Sequence, residues 1–198
     1  MIEVVQEYDF ISIVETKIDA RVTSASLALP GYVMQRQDRD GNGIGGGVLS
    51  YIREQYLPVG MEDTQKKYVD KGLELTITRI TVKGPLKHIY LVSVYRPPGT
   101  PVALFEAFEA LMMEIIVMGP LIVLGDLNAD LMRPRTAITR HLKKALALGS
   151  LKVPNVCPTR VCASTSTCLD IIALPEGITC EEYRVMPTAA SDHYYGRS

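Results

Sequence analysis

Four consecutive aliphatic residues, Leu121–Leu124, set between the turn signal Gly119–Pro120 and Gly125, constrain this chain more than any other stretch. A run this short and continuously apolar reads as a strand buried on both faces, at the centre of a sheet. The residues that follow, "GDLNAD", are polar, and place Asp126 and Asn128 just past the strand's end. If the chain stays extended there, both side chains emerge on one side, at the carboxyl end of a central strand. That end is where open α/β sheets bind ligands. Gly, Asp and Asn are equally the residues of a turn, and this stretch alone leaves both readings open.

The other elements complete an α/β pattern. "YDFISIVETK" is an apolar strand ending in Glu15 and Thr16, preceded by what reads as the tail of a helix. A glycine-rich turn in "RDGNGIGGG" leads into a strand from about Val48 to Arg53. In "LELTITRITV", Leu73, Leu75, Ile77, Arg79 and Thr81 alternate with Glu74, Thr76, Thr78, Ile80 and Val82, a long strand with one face more polar. "GPLKH" turns the chain into "IYLVSVYRPPG", a strand that Pro97 and Pro98 must stop. Residues 102–118 make the strongest helix candidate, and "TAITRHLKKALALG" reads as an amphipathic helix closed by Gly149. "CLDIIAL" and "CEEYRVM" are the strands expected in a loop-rich last third. With 198 residues, no internal repeat and no obvious linker, the expectation is one α/β domain spanning 1–198, built on mixed sheets.

Bulk properties narrow the function classes. A net charge of −1 offers no basic arm that could hold nucleic acid by charge alone, so any nucleic-acid contact must come from a local site. The most membrane-like stretch, "LFEAFEALMMEIIVMGPLIVL", holds three glutamates and a Gly-Pro break, and reads as helix, turn and strand. "MIEVVQEYDF" shows no basic region followed by an apolar run, so no signal peptide is expected. Cys157, Cys162, Cys168 and Cys180 fit neither paired CxxC zinc spacing nor a disulfide scaffold. They read as reduced thiols, which points to an intracellular protein.

Polar residues recur where apolar strands stop. Glu15 follows "FISIV", Tyr95 closes "IYLVSVY", Asp126 and Asn128 follow "LIVLG", Asp170 sits in "CLDIIAL", and Asp192 with His193 lies near the C-terminus. Each alone could be a cap, a surface charge or a sheet aromatic. Carboxylates, an amide, a phenol and an imidazole collected at strand ends suit phosphodiester hydrolysis. A hard cation such as Mg²⁺ binds through few carboxylates and several waters, a carboxylate can orient or deprotonate water, and an amide and imidazolium can stabilise charge on non-bridging oxygens. "SDH" is not a Ser-His-Asp triad, because adjacent residues cannot easily face one another and no GxSxG elbow accompanies them. "GNGIGGG" has neither dinucleotide-binding nor P-loop spacing.

In this order, "ETK" after an apolar strand, "GGGVLSYIR", "VYRPPG", "LIVLGDLNAD", "TRVCASTSTCLDII" and "SDH" resemble the endonuclease domains of non-LTR (LINE-type) retrotransposons. These lie in the endonuclease/exonuclease/phosphatase superfamily, with apurinic endonucleases and deoxyribonuclease I. The resemblance runs from about residue 1 to 195. It implies a four-layered α/β sandwich of two mixed sheets packed face to face with outer helices, and a metal-dependent nuclease that nicks DNA to leave a 3′-hydroxyl. By the same resemblance Asp126 positions or activates the attacking water, and Asn128 holds a phosphate oxygen. Glu15 and Asp192 serve Mg²⁺, with Mn²⁺ as an alternative. His193 stabilises the transition state, Asp170 orients His193, and Tyr95 contacts the scissile phosphate. Thr159, Arg160 and Ser191 match segments that lie against DNA. The implied partner is DNA and the implied compartment the nucleus, with no membrane association.

Two departures from the family pattern accompany it. An N-terminal strand carrying an Asn for the metal site has no counterpart, and five residues follow His193 where family members continue into a last strand. An unfilled strand slot exposes unpaired backbone. The readings open here are a fold incomplete at both termini because the chain is a fragment or a truncated gene product, or a domain completed by a partner or swapped strand. The competing functions are another phosphoesterase of the superfamily, or a weakly active or inactive remnant that binds DNA or protein.

Overall fold

A computed structural model describes residues 8–39, 45–162 and 164–186, and the backbone of 195–197. Its thirteen strands are β1 (Phe10–Val14), β2 (Tyr32–Gln37), β3 (Val48–Arg53), β4 (Val59–Gly60), β5 (Glu74–Thr81), β6 (His88–Tyr95), β7 (Leu121–Asp126), β8 (Leu151–Lys152), β9 (Arg160–Cys162), β10 (Thr165–Thr167), β11 (Asp170–Pro175), β12 (Arg184–Met186) and β13 (Tyr195–Arg197). The helices are α1 (Ser24–Leu27), α2 (Glu62–Val69), α3 (Leu104–Ile116) and α4 (Ala137–Leu148).

Two sheets carry the architecture. A six-stranded sheet runs in the order β4-β5-β6-β7-β11-β8, and a three-stranded sheet in the order β1-β3-β2; β9–β10 and β12–β13 are separate pairs. The larger sheet is mixed, with β6 and β7 parallel and β5 and β11 antiparallel beside them. Its parallel step needs a crossover, which α3 supplies. The fold is the layered α/β sandwich that the sequence predicts.

Alternation along the strands explains the layers. On one face of the large sheet Leu75, Ile77, Val92, Val94, Leu121 and Val123 join Phe105, Phe108, Leu111 and Leu142 of α3 and α4 in the main core. On the other face Ile80 and Leu91 meet Ile52 of β3. The more polar face of β5 turns out to be this inner, inter-sheet face: Thr76 and Thr78 are buried, and the Thr76 hydroxyl pairs with Ser50 at 2.7 Å. The outer face of the small sheet, Tyr32, Leu49 and Tyr51, is covered by Ile18 and Leu29 from the segment around α1.

Several elements differ from expectation. The charged segment after Gly60 forms α2, with only Tyr68 buried, and β2 is a polar edge strand without clean alternation. The helix expected over 102–118 is Leu104–Ile116, and the strand in "CEEYRVM" is confined to Arg184–Met186. The expected helix tail at the start lies outside the described residues. No helix among those described is long and apolar enough to cross a membrane, and all four cysteines are free.

Candidate active site

Strand pairing aligns four ionisable side chains in one row. Glu74 pairs with Tyr95 across β5–β6, Tyr95 with Asp126 across β6–β7, and Asp126 with Asp170 across β7–β11. Directly paired residues project to the same face of a sheet, here the inner face that looks toward the small sheet. Tyr95 and Asp126 end their strands, while Glu74 and Asp170 open theirs. Because β5 and β11 run against β6 and β7, all four collect at one rim, at the carboxyl ends of the central strands. Glu15 reaches the row from the opposite sheet: it follows β1 directly, and its carboxylate accepts a hydrogen bond from the Tyr95 hydroxyl.

Tyr95 is buried, and burial first, then the bond to Glu15 and the charges of Glu15, Asp126 and Glu74, push its phenol above the ordinary range. The phenol stays protonated, and a donor, around neutral pH. Replacing Tyr95 by Phe keeps the packing and removes this donor. The expected cost in stability is about 0.5–1.5 kcal/mol, read from thermal melts.

The segment after β7 does not stay extended. Asn128 has a left-handed backbone, φ 47°, and its N–H donates to Asp126 Oδ1 at 2.7 Å. The stretch is therefore a strand end and a turn at once, with the Asp carboxylate closing the turn. Asn128 Nδ2 donates to the Arg96 carbonyl at 2.8 Å, which fixes the amide and leaves its second hydrogen for another acceptor. Glu15 is also left-handed, φ 54°. Such strain in non-glycine residues concentrates at functional sites.

Two residues that sequence reasoning missed hold this geometry. Arg96 is fully buried beneath the turn, its guanidinium 5.0 Å over the Phe105 ring. It donates to Thr100 O at 2.6 Å and Leu127 O at 3.3 Å, while its N–H donates to Asp126 O at 2.8 Å. Burial lowers its pKa, and the Asp126 charge acts the other way. Arg96→Met retains bulk against Phe105 but leaves two carbonyls without their donor. A stability loss of about 1–3 kcal/mol is expected, read from urea unfolding. The clue in the sequence was a charged residue between a buried strand and paired prolines.

The second is Glu74, whose carboxylate accepts from Gly47 N at 2.6 Å and from Arg39 Nε at 2.8 Å. It pins the glycine turn that in turn accepts from Thr16 N and Lys17 N, just past Glu15. A Cβ on Gly47 would lie 2.4 Å from Thr16 Oγ1, so glycine there lets the two segments close.

Of the other expected site residues, Asp170 joins the row and Arg160 lies half-buried at the start of β9. The contact with DNA expected of Thr159 is corrected: Thr159 is fully buried, and its hydroxyl accepts from Leu169 N and Asp170 N, each at 3.1 Å. It anchors the start of β11 and presents no surface. Ser191, Asp192 and His193 lie outside the described residues.

The donors that the row and Glu15 contribute are all oxygens, the chemistry of a hard cation. No group of three His, Cys, Asp or Glu among the described residues could by itself hold a metal. Glu15 is the described residue that could serve such a cation, and Mg²⁺ is one that takes one or two carboxylates and keeps several waters.

No family model and no curated protein sequence matches the chain. Solved structures do. The endonuclease domain of TRAS1, a telomere-specific non-LTR retrotransposon, superposes with a TM-score of 0.70 at 18% identity, covering 98% of this chain and 85% of that one. The Xenopus laevis APE2 catalytic domain reaches 0.74 at 16%, with the same coverage. A Bacteroides thetaiotaomicron mannosyl-6-phosphatase reaches 0.61 at 13%, covering 98% and 86%. Enzymes of different substrates thus share these layers, and the chain has their deoxyribonuclease I-like fold.

Proposed function

We propose that this chain is a divalent-metal-dependent phosphodiesterase that nicks DNA and leaves a 3′-hydroxyl and a 5′-phosphate. The observation that carries the reading is the row Tyr95–Asp126–Asp170, joined across the sandwich by the bond from Tyr95 to Glu15. A nucleic-acid substrate, in preference to a sugar phosphate, is supported by the sequence motifs shared with retrotransposon endonucleases.

In this reading Asp126 takes a proton from water as the water oxygen bonds to phosphorus, and the P–O3′ bond breaks with the 3′-oxygen gaining a proton. Asn128 offers its free amide hydrogen to a non-bridging oxygen, and Tyr95 faces the same phosphate. Glu15, with Asp192, would hold the cation, which when bound neutralises charge on the phosphate. His193 donates to the developing charge and is oriented by Asp170. Ser191 and Arg160 are proposed DNA contacts, and the nucleus is the proposed compartment.

A substrate panel tests this. Supercoiled plasmid, a duplex with an abasic site and mannose 6-phosphate are offered under identical Mg²⁺ conditions. Plasmid nicking whose products prime a DNA polymerase without prior phosphatase treatment supports the proposal. Hydrolysis of the sugar phosphate alone would make the chain a phosphomonoesterase and end the nuclease reading.

A further inference from the structure

Between Asp130 and Asp170 the chain has no acidic residue, yet Lys and Arg occur seven times there. The whole chain has 21 basic and 22 acidic residues, so this segment carries a net charge of +7 while the rest, with 14 basic and 22 acidic residues, carries −8. The segment leaves the site after Asp126 and returns to it at Asp170, the two residues that pair across β7–β11. Its two ends are also tied together, with Asp130 Oδ1 accepting from Cys168 N at 3.1 Å and Leu131 N donating to Cys168 O at 3.0 Å.

The cations are strung outward from that point. Arg133 and Arg135 lie in the loop that leaves the site, and with Pro134 and Thr136 they line a depression of ≈ 190 Å³. Arg140 and Lys143 continue along the exposed side of α4, at the spacing that puts helical neighbours on one face. Arg133 is 3.3 Å from Asp130 and Lys144 2.6 Å from Glu109, so these two are paired. Arg135, Arg140 and Lys143 are exposed and form no ion pair among the described residues. Like charges one helical turn apart repel. A compact anion would need one convergent cluster, whereas these charges run from the 133–135 loop to Lys143 in the second turn of α4, about 9 Å along the helix. A linear polyanion matches that spread.

We propose that the face formed by the 133–135 loop and α4 binds the sugar-phosphate backbone of duplex DNA flanking the bond to be cut. This rests on the nuclease reading above. The contact is with phosphates and not base edges, so it adds affinity and orientation without sequence preference.

The test is binding of a fluorescein-labelled DNA duplex, followed by anisotropy in EDTA over a range of salt. The full chain is compared with R135Q/R140Q/K143Q and with K66Q/K83Q/K87Q, which removes three exposed cations elsewhere. Removing one cation that neutralises a phosphate flattens the plot of log K against log salt by about 0.9, so the first variant is expected to lose up to about 2.7 in slope and the second none. Identical slopes for the native chain and the first variant overturn the proposal, as does an equal loss in the second. Binding of duplex RNA but not duplex DNA overturns it too. Because EDTA prevents cleavage, a protein that binds with the expected slopes but never nicks leaves this surface standing and removes only the nuclease reading. Nicking with unchanged slopes does the reverse.

Discussion

Asp126→Asn is expected to lower phosphodiester cleavage by roughly 10²–10⁴-fold, the usual contribution of a positioned general base, while the fold survives. The substitution is chosen for its shape. The amide oxygen can still accept from Asn128 N, so the turn after β7 stays closed, and the Arg96 N–H still meets the backbone carbonyl at 126. What disappears is the charge in the centre of the row, between Tyr95 and Asp170. Steady-state cleavage with a thermal melt on the same preparation separates the two effects. A variant that melts like the native chain and cleaves as fast would show that Asp126 is a turn residue and nothing more.

Gly125→Ala is expected to be the most damaging single change in the strand framework, at about 4 kcal/mol or more. Gly125 has φ 144°, and a Cβ there would fall 1.8 Å from the Val94 carbonyl oxygen on the neighbouring central strand. That atom is backbone in a paired ladder and cannot turn aside as a flexible side chain would. Accommodating the methyl means parting β6 from β7 at the level of the row, or rotating the peptide before Asp126. Overpacking of an ordinary core site costs about 1–3 kcal/mol, and positive φ adds to it for a residue with a Cβ. Urea unfolding monitored by circular dichroism measures the loss. A midpoint shift equivalent to under about 1 kcal/mol would mean that the two strands are not held as tightly as their register implies.

The layers were legible because they rest on periodicity. A continuous apolar run in Leu121–Leu124, alternation through Leu73–Val82 and the amphipathic helix from Ala137 each reflect burial that a single segment reveals. Candidate residues at strand ends were legible for the same reason, since a polar side chain ending a buried strand must reach a rim. Register was not. That Glu74 stands level with Tyr95 depends on the hairpin turn between β5 and β6, which the alternation of either strand alone does not determine. Thr159 shows the opposite failure. A hydroxyl beside an arginine reads as surface, and only the tertiary structure reveals two amides, Leu169 N and Asp170 N, converging on it. Arg96 escaped because buried arginines are rare, and its acceptors, the carbonyls of Leu127 and Thr100, leave no trace in residue type.

The most direct measurement of the central claim is nicking of supercoiled plasmid by the purified chain, with Mg²⁺ and with EDTA, beside Asp126→Asn purified in the same way. Relaxed circles from the native chain only in Mg²⁺, and almost none from the variant, are the predicted result. Equal relaxation by both proteins, or none from a native chain that unfolds cooperatively, would contradict the assignment of this row as a phosphodiesterase site.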